Sequence, residues 1–422
     1  MQHVANLIGG SPSKLAVLSA VSGTTNSLEQ IAIAYQAEKH EWAQKLIAEM
    51  EGKYEGFIQE LYSNEPARKK AKGYLKTRFE ELKTATQLGH SSKMEKVILA
   101  QGELLSTHLM AFYLKEKGES VALLPALDFM RTSDGEPDND FIAAHLQKQL
   151  KEAPSADVYI TQGYICRNEW GDIDNLRRGG SDYTASLLGA AMGGEEIQIW
   201  TDIDGMHNND PRVVGKTHPV HELAFEEAAE LAYFGAKILH PSSVLPAQKH
   251  QIPVRLLNTM HPEAEGTLIS SGAALKPFKA VAAKDGIIAL KIRSSRMLMA
   301  YGFLRRVFEI FEQYKTSIDM ITTSEVAVSL TIDKGYYLEE IIREVREFGT
   351  VEVDYDQTII CVAGNLSSDE PGLASKVLAA LKDVPIRMIS SGGSQYNISV
   401  LVKKEYKKTA LLALNQGLFG ID

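Results

Sequence analysis

Cysteine is nearly absent from this chain: two residues, Cys166 and Cys361, in 422. They lie far apart and without metal-type spacing, which leaves out a disulfide framework and a zinc site and suits two buried, small apolar side chains. Basic residues are outnumbered: 45 lysines and arginines face 54 acidic residues, a formal charge of -9, and no basic run stands out. That balance argues against a nucleic-acid partner. The N-terminus lacks the basic-then-apolar layout of a signal peptide, and no uninterrupted apolar run is long enough to span a bilayer, so the expectation is a cytoplasmic protein without a membrane partner. No G-x-G-x-x-G follows a strand, which leaves out a dinucleotide-binding domain.

What is present begins with bulk. Hydrophobic residues make up 44% of the chain, enough for sizeable cores in two or three domains. Lys14-Leu15-Ala16-Val17-Leu18-Ser19-Ala20 reads as a buried strand running into a glycine-containing loop. From about Leu28 to Leu88 the composition turns to Ala, Glu, Lys and Gln with apolar residues at helical spacing, broken near Asn64-Glu65-Pro66, which predicts two or three helices. Strands near Val121 to Leu124, Val158 to Gln162 and Glu196 to Thr201 then alternate with helical segments, the pattern of an α/β fold with a mainly parallel sheet sandwiched by helices. Turn formers and short strands fill Pro246 to Gly272, and this first domain is expected to close near Pro277.

The remainder repeats itself. Gly302-Phe303-Leu304 with Val307-Phe308 precedes Gly372-Leu373 with Val377-Leu378 by about seventy residues; Ile318-Asp319-Met320-Ile321 likewise precedes Ile386-Arg387-Met388-Ile389, and Val328-Ser329-Leu330 precedes Ile398-Ser399-Val400. Each copy reads as helix, strand, turn, strand with a glycine opening the helix, so two small α+β, ferredoxin-like βαββαβ units are expected.

One loop suggests chemistry. In Leu176-Arg177-Arg178-Gly179-Gly180-Ser181-Asp182 the two glycines let backbone approach a bound group, and Ser181 and Asp182 open a helix of small residues whose N-terminus carries partial positive charge. An arginine beside them can grip a carboxylate or phosphate with two parallel hydrogen bonds. A glycine turn with an ordinary cap would look the same.

The loop keeps company with Leu18-Ser19-Ala20-Val21-Ser22-Gly23-Thr24-Thr25-Asn26, with Gln101-Gly102-Glu103, with Trp200-Thr201-Asp202-Ile203-Asp204-Gly205 followed by Asp210-Pro211-Arg212, and with Phe234-Gly235-Ala236-Lys237-Ile238-Leu239-His240-Pro241. In this order the segments resemble the aspartate kinase family, from about Lys14 to the C-terminus. The resemblance implies an amino-acid-kinase domain over 1–277 and tandem ACT domains, the first over 293–358 and the second over 278–292 with 359–422, the strand at about Ile287 to Ile292 joining the second. It implies ATP with Mg2+, L-aspartate as acceptor, 4-phospho-L-aspartate as product at the first step towards lysine, threonine and methionine, and a homodimer or higher homo-oligomer built through the ACT domains.

Site roles follow from the same resemblance, residue by residue. Arg178 holds an aspartate carboxylate, Glu103 pairs with the α-ammonium, Ser19 and Thr25 face the substrate, Tyr164 and Ser181 line the pocket, and Asp182 organises the cations on the phosphates. Thr201, Asp202, His207, Arg212, Lys237 and Ile238 take nucleotide positions, and Met297, Gly302, Asp319 and Ser324 an effector site for lysine or, as the alternative, threonine. Taken singly, Glu103 would also suit a solvated helix cap, Asp202 a turn after a strand, Lys237 a helix C-terminal charge and Asp319 a strand-end cap. The sequence departs from the family pattern at His207, commonly tyrosine, at Arg177, usually glycine, and at Met299 and Ala300, usually more polar. The family's Lys-Phe-Gly-Gly-Thr-Ser loop has no counterpart, and Met1 to Ile8 resembles the helix that follows it; a regulatory, amino-acid-binding homologue without turnover is the alternative this raises. The reaction itself asks for no general base, because aspartate's side chain, with an ordinary pKa of about 3.9, is already ionised at neutral pH. Alignment and charge screening are what the residues must supply.

Overall fold

A computed structural model of the chain describes residues 1–89, 91–176, 179–236, 239–274, 276–293, 302–367 and 369–421. Arg177, Arg178, Lys237, Ile238, Met297, Met299 and Ala300 therefore lie outside the described residues. Two compact units emerge, the first made of 1–203 with 239–264, the second of 204–238 with 265–422.

In the first unit α1 (Gln2–Ile8) precedes β1 (Lys14–Leu18), and four helices follow: α2 (Thr24–Gln36), α3 (His40–Leu61), α4 (Glu65–Ala85) and α5 (Ser92–Glu116). The break at Asn64-Glu65-Pro66 is a helix start: the Asn64 side chain accepts the Ala67 N–H at 2.8 Å and proline sits where no backbone donor is needed. β2 (Val121–Leu123), a short hairpin of β3 (Thr132–Ser133) and β4 (Glu136–Pro137), α6 (Asn139–Glu152), β5 (Val158–Gln162) and a second hairpin of β6 (Ile165–Arg167) and β7 (Ile173–Asn175) lead to α7 (Gly180–Met192) and β8 (Ile197–Thr201). After the excursion into the second unit, α10 (Leu245–His250) and β10 (Val254–Asn258) complete the set.

Strands β1, β5 and β2 pair in parallel with β5 central, Leu18 opposite Gln162. Alternation sorts their side chains: Leu18, Val158 and Ile160 pack with α2 to α5, while Leu15, Val17 and Tyr159 face the cluster of Phe129, Ile142, Leu146, Leu187 and Leu188. β8 pairs in parallel with β10, so the parallel strands of this unit fall into two groups, and α7 packs on both β1 and β8. By length and composition α5 could cross a membrane, but 72% of its most apolar window is buried in the unit, where it is the central helix.

The second unit opens with the four-residue helix α8 (Pro211–Val214), β9 (Glu222–Leu223) and α9 (Phe225–Tyr233); β11 (Thr267–Ile269) pairs with β9. The rest is one six-stranded sheet with β12 (Ala280–Arg293) and β15 (Thr350–Ala363) at its centre, each 14 residues long. β13 (Ile321–Thr323) and β14 (Ala327–Ile332) extend it on one side, β17 (Asn397–Lys403) and β16 (Met388–Ser391) on the other. Helices α11 (Phe303–Gln313) and α12 (Leu338–Val345) cover the first copy, α13 (Leu373–Ala380) and α14 (Lys407–Phe419) the second. Gly302 at φ 90° and Gly372 at φ 88° open α11 and α13 in the left-handed conformation, as the repeat predicts.

Register corrects one expectation. Ile288 to Arg293 pair with β14, and Ile287 to Arg293 with 350–357 of β15, so the stretch Ile287 to Ile292 belongs to the first copy. It is Ala280 to Lys284, paired with Ile359 to Ala363, that closes the second copy, and irregular pairing between Lys284 and Ala289 separates the two roles. The compact units divide differently from the expected boundary near Pro277: 204–238 group with the second unit, and Val213, Val214 and Phe278 belong to its apolar core.

Candidate active site

At the carboxyl end of β1 the chain turns through Ser19 to Gly23 into α2. Gly23 takes φ 80° as the helix cap. Two hydrogen bonds pin this turn: Ala20 N–H donates to Glu103 Oε1 at 3.3 Å, and the hydroxyls of Thr24 and Tyr54 pair at 2.8 Å. A Cβ on Gly102 would stand 2.8 Å from Ala20 Cβ, so α5 approaches the turn more closely than a side chain there would allow. Thr24 is buried towards α3, leaving Thr25 and Ser19 exposed.

Glu103 lies inside α5, 6% exposed, and is no solvated cap. Burial pushes its carboxyl up to about 7, against hydrogen bonds from backbone that pull it down. The Tyr164 phenol is raised to about 12, by burial first and then by its proximity to Glu103.

The carboxyl end of β5 meets α7. Tyr164 adopts φ 66°, unusual for a residue with a side chain, and its N–H donates to Thr184 Oγ1 at 2.9 Å. Gly163 permits this contact: a Cβ there would sit 2.3 Å from Ser181 Oγ and 2.8 Å from Ser181 Cα. α7 starts one residue earlier than the motif suggests, capped by Gly179 at φ 76° with no side-chain cap, so Ser181 and Asp182 fall in its first turn. Burial alone raises the Asp182 carboxyl to about 6, and among the described residues no salt bridge reaches it. Ser19, Thr25, Glu103, Tyr164, Ser181 and Asp182 are thus assembled on the first unit from β1, β5, α2, α5 and α7.

Thr201 ends β8 and Asp202 follows it. The Thr201 hydroxyl accepts the Ile203 N–H at 3.2 Å, and exposed Asp202 is a turn residue. His207 and Arg212 belong to the second unit. The His207 Nδ1 lies 2.7 Å from Thr217 Oγ1, and burial lowers its pKa. Arg212 forms a fork on Asp210, Nε and Nη2 each 2.9 Å from a carboxylate oxygen, on a side chain 74% exposed. Such an exposed pair is worth little and yields readily to a competing anion.

Among the effector residues, Gly302 caps α11 and Ser324 sits in the exposed β13–β14 turn. Asp319 departs from the expected open carboxylate. Its side chain is 1% exposed, and Oδ1 already receives Lys284 Nζ at 2.8 Å and the Tyr233 hydroxyl at 3.0 Å. Lys284 also meets Asp333 at 3.2 Å, while Asp319 Oδ2 is buried without a hydrogen-bond partner. Burial raises the Asp319 pKa despite the lysine.

Sequence reasoning misses Tyr54, Gly163, Thr184 and Lys284. Gly163 next to Tyr164 at the end of a strand is a signal that could have been used. The others sit inside ordinary helix and strand patterns. A cavity of about 200 Å³ lies on the α3 side of the β1–α2 turn, lined by Ser22, Gly23, Thr24, Lys53, Tyr54 and Phe57; a wider groove of about 690 Å³ between α3 and α4 contains none of the site residues.

A model described as the amino acid kinase family matches residues 1–258, and an ACT domain model matches 360–418. Lysine-sensitive aspartokinase 3 of Escherichia coli (strain K12) is 34% identical over 419 residues, covering 96% of this chain and 92% of the relative. The chain belongs to the aspartokinase family. Two solved forms of the E. coli aspartokinase III resemble it over 99% of its length and 96% of theirs: a complex with aspartate and ADP, described as the R-state, at TM-score 0.84 and 33% identity, and a complex with lysine and aspartate, described as the T-state, at TM-score 0.77 and 32% identity. Within the aspartokinase family, then, the buried Glu103 and the glycine-capped start of α7 are the features whose chemistry has to be explained.

Proposed function

We propose that this chain transfers the terminal phosphoryl group of ATP to the side-chain carboxylate of L-aspartate, forming 4-phospho-L-aspartate, under feedback by an amino acid, with lysine the favoured effector. The observation that carries this reading is Glu103, a carboxylate held at about 7 beside the carboxyl ends of parallel strands. A substrate ammonium is the partner that would ionise it fully at neutral pH, and the neighbouring exposed hydroxyls of Ser19 and Thr25 suit the substrate's remaining polar atoms. Arg178, next to the Gly179 cap, is assigned the aspartate carboxylate.

The backbone N–H groups of α7's first turn, left without a side-chain cap, would take phosphate oxygens. Asp182 fits a Mg2+ site: it is a buried oxygen donor with no salt bridge among the described residues, suited to an ion that takes one or two carboxylates and completes its shell from phosphates and water. When bound, that ion screens the charge that builds on the transferring phosphoryl group. Thr201, Asp202, His207, Arg212, Lys237 and Ile238 are assigned to the nucleotide. The protein is proposed to act as a homodimer or larger homo-oligomer, both βαββαβ copies serving as ACT domains.

The direct test follows aspartate-dependent ADP release, with trapping of the acyl phosphate by hydroxylamine. Arg178→Ala should lower kcat/KM for aspartate about tenfold to a hundredfold, the loss of a contact worth roughly 1.5 to 3 kcal/mol, while KM for ATP changes little. Unchanged aspartate kinetics in this variant would remove Arg178 from the site. For the effector, calorimetry with lysine should give saturable binding that weakens at least tenfold in Asp319→Ala; equal binding by both proteins would leave Asp319 as the buried partner of Lys284 and Tyr233 alone. Threonine binding with no lysine binding would transfer the role to the alternative effector.

A further inference from the structure

His207 and Arg212 are carried by a loop whose attachments run to the C-terminal helix. Between them lie Asn208 and Asn209, 4% and 3% exposed. Every hydrogen-bonding group of Asn208 is engaged. Its N–H donates to His218 O at 2.9 Å, its carbonyl accepts Val281 N–H at 2.8 Å, Oδ1 accepts His218 N–H at 2.6 Å, and Nδ2 donates to Asn415 Oδ1 at 3.0 Å. Asn415, 1% exposed in α14, spends its own amide on Lys216 O at 3.1 Å and Ile421 O at 3.3 Å. Asn209 Nδ2 donates to Leu411 O, also in α14, at 3.0 Å. Apolar packing follows the same route, with Val213 and Val214 set among Leu411, Leu414 and Val377.

We propose that Asn415 is a positioning residue for the nucleotide: acting through Asn208 and the Lys216 carbonyl, it fixes the loop that presents His207 and Arg212, and so lets the C-terminal copy set ATP affinity without touching ATP. The inference rests on the assignment of His207 and Arg212 to the nucleotide. Its physical basis is that a buried carboxamide pair is satisfied in one relative placement. Any displacement of α14 along its axis leaves Asn208 Nδ2 and the Lys216 carbonyl without partners, so loop and helix move together or not at all. Among the described residues the Arg212 side chain is held by Asp210 in the same loop, so the guanidinium follows the loop.

Asn415→Leu keeps the volume and removes the hydrogen bonds. Steady-state kinetics on the full chain should show KM for ATP raised about tenfold, with kcat and KM for aspartate within twofold of the parent, and ADP affinity by calorimetry weakened to match. A merely structural role would instead lower kcat through loss of active protein and leave both KM values unchanged, and that result overturns the proposal. Should Asn415→Leu fail to fold, as judged by thermal melting, Asn415→Ser retains a donor and an acceptor and should raise KM for ATP by a smaller factor; parent-like ATP kinetics in a folded Asn415→Ser then overturns it. Arg212→Ala is the control. If it leaves ADP affinity unchanged, the nucleotide assignment and the inference fall together; if it weakens ADP while the Asn415 variant does not, the inference alone fails.

Discussion

Glu103→Gln should lower kcat/KM for aspartate about a hundredfold and, in the ligand-free protein at pH 8, raise the melting temperature. The first effect is the loss of a charge-assisted contact in a buried site, worth on the order of 3 kcal/mol. The second comes from linkage. The folded protein holds the Glu103 carboxyl at about 7, above its ordinary 4.5, so between those values the native state keeps a proton that the unfolded chain has released. Stability is therefore fully present below about 4.5 and is lost as pH rises through about 7, a swing of roughly 3 kcal/mol at most. Glutamine keeps the shape and an acceptor for Ala20 N–H but cannot ionise, so its advantage appears at pH 8 and vanishes near pH 4. In the wild type, KM for aspartate should rise about tenfold per unit as pH falls below 7, since only ionised Glu103 attracts the ammonium. Melting curves and aspartate kinetics at pH 5.5 and pH 8 check both. A variant that loses activity and stability equally at every pH would show Glu103 to be a packing residue.

Asp182→Asn should act on kcat, with a fall of roughly a hundredfold to a thousandfold and aspartate KM near the parent value. Burial, with no salt bridge among the described residues, makes this carboxylate costly in the ligand-free fold, and the cation that accompanies the phosphates would relieve that cost as charge develops in the transition state. The expected signature is a higher Mg2+ concentration for half-maximal rate. A carboxyl at about 6 in the ligand-free protein also predicts that wild-type kcat/KM for Mg-ATP declines below pH 6, and that Asp182→Asn lacks this limb. Unchanged Mg2+ dependence in the variant would remove Asp182 from the phosphate side.

Local patterns in the chain were legible where local physics decides. Apolar spacing and the Asn64-Glu65-Pro66 start mark α3 and α4, and glycine before an amphipathic run marks α11 and α13. Gln101-Gly102-Glu103 drew attention to a carboxylate whose burial depends on the Ala20 turn eighty-three residues away, which no window of sequence contains. Tyr54 carries no local mark, because its partner Thr24 sits on another helix. Partner choice is equally hidden in β12: its residues announce a strand, but which half serves which copy is settled by register against β14 and β15. Asp319 looked open because its neighbour Lys284 is thirty-five residues earlier and fills the space beside it only after folding.

The shared centre of the six-stranded sheet has a consequence for how the C-terminal half comes into being. Ala280 to Lys284 leave the ribosome before any of the first copy, yet their partners at 359–363 come after all of it. The second copy consequently cannot finish ahead of the first, and neither half can be excised without stripping the other of a strand. Long-range pairing of this kind is slow, and it leaves an unsatisfied edge waiting during synthesis. Melting of the two copies should accordingly occur in a single cooperative step, and a proteolytic cut in the bulged stretch between Lys284 and Ala289 would unravel both at once.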